Sequence, residues 1–114
     1  QVHVNGTIRD LRSASTFNMA TGTAAQTILA AGAAGIFNDI VGIIIANAST
    51  TVSNRVTISD GTNSYNFQSP LNSTVGISLP GQSLAAATAA TAWTATNSAA
   101  NTGIWITLVY EKNQ

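Results

Sequence analysis

The side chains of this chain that could do chemistry are few, and their spacing does not bring them together. His3 is the single histidine. Alone it cannot build a His-based metal site, and no Ser-His-Asp arrangement surrounds it, so it reads as an exposed residue near the N-terminus. The carboxylates are Asp10, Asp39, Asp60 and Glu111. Hydrolysis of a glycosidic bond would need two of them facing each other across a substrate. Asp60 precedes Gly61 and reads as a turn residue, Asp10 lies between Arg9 and Arg12, and nothing in the spacing pairs Asp39 with Glu111. The stretch "AAGAAG" lacks the Lys-Ser/Thr of a phosphate loop, so its glycines read as turn residues. No catalytic residue, no cofactor and no metal site is expected, and the chain reads as a non-enzyme.

Two groups of residues could instead bind. In "RDLRSAS", Arg9, Asp10 and Arg12 gather three of the chain's eight formal charges. Guanidinium groups pair with carboxylates through two parallel hydrogen bonds, so these residues are candidates for docking onto a partner. A solvated lead-in to the first strand is the competing reading. Trp93 and Trp105 could offer aromatic platforms to sugars, or could anchor a core or an interface. Trp93, Thr94 and Trp105 are the candidate subunit-interface residues.

Composition narrows the partners. Only 7% of the 114 residues are charged and the formal net charge is zero, against about 25% charged in an average soluble domain. The cations Arg9, Arg12, Arg55 and Lys112 form no basic run, which argues against nucleic acid. The longest apolar stretch, from Ile36 to Ala48, is broken by Asn38, Asp39 and Asn47 and is too short and polar to span a bilayer. No signal-peptide pattern opens the chain. Without cysteine, disulfides and Cys-based zinc sites are excluded. A chain of this length can still bury about two-thirds of its unfolded surface in one core.

The elements that would position these residues read as strands. "TGIWITLVY" and "IVGIIIANAS" are rich in β-branched residues and apolar on both alternating faces. Such a strand should be covered by a second sheet on one side and by a loop or subunit on the other. "RVTISDGTNSYNF" alternates on either side of Asp60-Gly61 and reads as a hairpin. "STFNMAT", "AQTILA" and "STVGISL" complete a series of short strands at about ten-residue spacing, the pattern of a β-sandwich. No longer period recurs.

The run "LAAATAATAWTATNSAAN" carries no charge, no glycine and no proline. A helix there would lack contrast between its faces, and threonine weakens the helical preference of alanine. Ala85 to Ala90 therefore reads as a loop or bent strand and Thr91 to Ser98 as a strand. Surfaces of hydroxyls and amides are desolvated more cheaply than charged ones, so the run is assigned to close strand packing or a subunit interface.

The order "DIVGIIIANAS", "RVTISDGTNSYNF", "STVGISLPG" and "GIWITLVYEK" resembles that of small decoration (cement) proteins on the heads of tailed bacteriophages, from about Thr23 onward. The resemblance implies a jelly-roll-like all-β sandwich of about eight short antiparallel strands over residues 13–114. It further implies a homotrimer on the virion capsid surface, with the major capsid protein as partner. The implied role is to stabilise the shell across subunit junctions. Residues 1–12 lie outside the likeness and read as an N-terminal arm. A carbohydrate- or receptor-binding β-module of a phage fibre is the alternative.

Overall fold

The computed structural model describes residues 12–79 and 84–113. Eight strands follow in order: β1 (Arg12–Asn18), β2 (Gln26–Leu29), β3 (Phe37–Asn47), β4 (Asn54–Ser59), β5 (Ser64–Ser69), β6 (Ser73–Ser78), β7 (Trp93–Asn97) and β8 (Ile104–Asn113). They form two four-stranded sheets, ordered β1-β8-β3-β6 and β2-β7-β4-β5, called here sheet A and sheet B. Every pairing is antiparallel. Successive strands change sheet except where the β4–β5 hairpin stays in sheet B, and the first strand returns beside the last. That strand order is the jelly-roll arrangement of an all-β sandwich.

Alternation builds the core. Ile43 and Ile45 on β3, and Ile104, Ile106 and Leu108 on β8, face inward from sheet A. Val56 and Ile58 on β4, and Trp93 and Ala95 on β7, meet them from sheet B. Each such aliphatic side chain contributes about 1.5–3 kcal/mol by leaving water. The long isoleucine run succeeds because β-branched side chains suit the pleat and β3 is central in its sheet.

Two local devices fix the register. In β3 the pairing with β8 shifts between Ile40 and Gly42, so Asn38 through Val41 are all buried. This bulge interrupts the alternation that the sequence suggests. At Gly76 a Cβ would lie 2.6 Å from the Ile43 carbonyl oxygen, so the approach of β6 to β3 admits only glycine.

The stretch following Leu84 is held without a strand of its own. Leu84 and Ile40 exchange both backbone hydrogen bonds, at 2.7 and 3.1 Å, and Ala90 donates to the Ile36 carbonyl at 2.8 Å. Asp39 Oδ1 accepts from the Ala86 amide at 2.8 Å and Asp60 Oδ2 from the Ala87 amide at 2.7 Å. Carboxylates from both sheets thus clip adjacent amides of the alanine-threonine run. The strand in that run is β7, in the middle of sheet B, as its alternation suggests.

Candidate functional site

The outer face of sheet A can be read in three cross-strand rows. They are Ala14–Val109–Gly42–Ser78, Thr16–Thr107–Ile44–Gly76 and Asn18–Trp105–Ala46–Thr74. No position in these rows is charged. Ile44 is 51% exposed, Trp105 49% and Val109 37%. Gly42 and Gly76 leave a furrow of about 420 Å³, bordered by Ile44, Thr107, Val109 and Ser78. The second apolar face expected to be covered on β3 and β8 is therefore open to solvent in the single chain.

Sheet B shows what a solvated face of this composition looks like. Its outer positions are Thr27, Thr94 and Thr96, then Arg55, Thr57 and Ser59, then Ser64, Asn66 and Gln68. Their polar groups also bond along the surface: Thr57 Oγ1 donates to Asn66 Oδ1 at 2.7 Å. The two faces are thus chemically distinct: every outer position named on sheet B is polar, whereas the three rows of sheet A set exposed Ile44, Trp105 and Val109 among small and uncharged residues. Apolar patches of this kind, bordered by polar residues, mark sites of association.

The candidate interface residues divide among three places. Trp105 stands on the outer face of sheet A. Thr94 lies on the outer face of sheet B, where its hydroxyl approaches the Ser59 carbonyl at 3.4 Å. Trp93 is 0% exposed, so its assignment to a subunit surface is corrected: it is a core residue. Its Nε1–H donates to the Asn38 carbonyl at 2.7 Å, and its ring centroid lies 6.3 Å from that of Tyr65. An indole buried in this way needs a partner for its single donor, and the bulged β3 supplies it.

Of the candidate docking residues, Arg9 and Asp10 lie outside the described residues. Arg12 begins β1 and stands in register with Glu111 of β8. The same end of sheet A brings Asp39 into register with Glu111, a proximity the sequence spacing did not suggest. Asp39 is buried, and its Oδ2 accepts from Asn113 Nδ2 at 2.6 Å. Asp60 Oδ1 accepts from the amides of Thr62 and Asn63 at 2.9 and 2.7 Å. Burial pushes the Asp60 carboxyl up, but the amides of Asn63, Ala87 and Thr62 outweigh it and leave its pKa below the ordinary value. Both aspartates organise backbone amides.

Among the described residues no group of three or more His, Cys, Asp or Glu side chains is placed to hold a metal ion, and no helix is long and apolar enough to cross a membrane. The residues that sequence reasoning missed are Ile44, Val109, Gly42 and Gly76. The two-sided apolarity of β3 and β8 was the signal for them. Compared with protein-family models, curated proteins and solved structures, the chain finds no match.

Proposed function

We propose that this protein is a structural component of a virion, a decoration protein that docks the outer face of sheet A onto the exterior of a protein shell. The observation that carries this reading is that Ile44, Trp105 and Val109 are exposed together in three rows of the outer face of sheet A that carry no charge, whereas the outer face of sheet B is polar. A protein that remained free would gain nothing from exposing Ile44, Trp105 and Val109 together. A shell surface facing this sheet would cover them without having to desolvate a charge.

The size of the face supports a mechanism based on number. Strands about 4.8 Å apart and a rise of about 3.4 Å per residue make the patch on the order of 400 Å². That is roughly half of what each partner contributes to a self-sufficient interface, about 800 Å². A single copy would bind weakly, and copies linked in a trimer would bind through avidity. Ligation only to the assembled shell would stabilise it over loose subunits by mass action.

The test is to purify particles from the native source and locate the protein by peptide mass and immunogold microscopy. Labelling on the outside of the particles, with the protein absent from the free soluble pool, supports the reading. A wholly soluble protein contradicts it. A second reading, a glycan- or receptor-binding module, is favoured by the exposed Trp105 with Asn18 and Thr74 in its row. Glycan-induced quenching of Trp105 fluorescence would select it.

A further inference from the structure

At one end of the sandwich the apolar core gives way to a layer of uncharged polar side chains. Asn47, the last residue of β3, faces Asn54, Ser69 and Asn97 of sheet B, all at most 3% exposed. Asn54 and Ser69 are register partners, and Asn97 pairs with Val56, two residues along β4. Asn47 crosses between the sheets, donating from Nδ2 to the Ser69 carbonyl at 3.1 Å and to the Val52 carbonyl at 2.9 Å. Its Oδ1 accepts from Asn101 Nδ2 at 3.1 Å and from the Ser49 amide at 3.0 Å. Asn47 is thus satisfied on both sides.

Its neighbours are not. Both side-chain atoms of Asn54, both of Asn97 and the Ser69 hydroxyl have no hydrogen-bond partner among the described residues. Native proteins leave very few buried polar atoms without partners, because a group stripped of water and given no new hydrogen bond is destabilising.

We propose that this layer is a built-in binding site for a small cluster of internal water molecules. The donor and acceptor inventory selects that ligand. Each amide requires an acceptor for its NH₂ and a donor for its carbonyl. A cation would satisfy only the oxygens, an anion only the NH₂ groups, and an apolar ligand neither. Water does both. At about three hydrogen bonds per buried water, two or three molecules serve these five atoms. The cluster would tie sheet B, through Asn54, Ser69 and Asn97, to the Asn47–Asn101 network that holds the 48–53 and 98–103 loops.

The test uses the unmodified chain. Water-selective NMR should show cross-peaks from long-lived water to the side-chain NH₂ groups of both Asn54 and Asn97, with the sign of rigidly bound water. A high-resolution crystal structure should place two or three density peaks within hydrogen-bonding distance of these atoms. Direct bonding of the Asn54 amide to the Asn97 amide, without water cross-peaks, overturns the proposal. So does a single peak ligated only by oxygens, which would be a cation. Neither result bears on docking through sheet A.

Discussion

Trp93 and Trp105 lie on consecutive strands but in opposite environments: Trp93 is enclosed between the sheets, and Trp105 is half exposed on the outer face of sheet A. One indole therefore belongs to the fold and the other is available to a partner. This division gives the two residues different experimental signatures.

Acrylamide should quench Trp105 fluorescence and leave Trp93 nearly untouched. Trp105→Phe should remove the quenchable component and shift the remaining emission to the blue. Two equally quenched components would contradict the burial of Trp93.

Trp93→Phe should destabilise the domain by about 2–4 kcal/mol. It empties part of the indole volume and leaves the buried Asn38 carbonyl without its donor. Trp105→Phe should change stability by no more than about 0.5 kcal/mol, as is usual for an exposed site. Urea unfolding of the two variants checks both values.

Acid should loosen the clip on Ala87, which Asp60 holds. The Asp60 carboxyl titrates lower in the folded chain than its unfolded value of about 3.9. Its stabilising contribution is therefore complete above that pH and is lost as the pH falls through the lower folded value. Melting temperature measured from pH 6 to pH 2 should be flat and then fall, and Asp60→Asn should lower the plateau and soften the fall. An unchanged profile in that variant would remove Asp60 as its source.

Much of the fold was legible because local pattern and tertiary outcome agree. The β-branched runs became β3 and β8, the alternation around Asp60-Gly61 became β4 and β5, and the strand expected in the alanine-threonine run became β7. The turn between β4 and β5 is longer than a two-residue hairpin loop, since Asp60 Oδ1 caps the amides of Thr62 and Asn63. The exposure of each tryptophan was not legible, because β7 and β8 each offered one beside small or apolar neighbours. Only the sheet assignment decides which face meets the core. Nor was the role of Asp39, which depends on a bulge, or the polar layer, whose members Asn47, Asn54 and Asn97 meet only through sheet pairing.

Docking through the outer face of sheet A, as proposed, should fail when a charge is placed there. Ile44→Lys places a charge in the middle row of that face, and Thr57→Lys places one on the outer face of sheet B. The decisive measurement is the amount of each variant, relative to wild type, recovered on purified particles after the native copy is replaced, with both variants first shown to melt as wild type does. Thr57→Lys should be recovered at the wild-type level, and Ile44→Lys should be reduced at least tenfold. Recovery of Ile44→Lys at the wild-type level would rule out docking through sheet A.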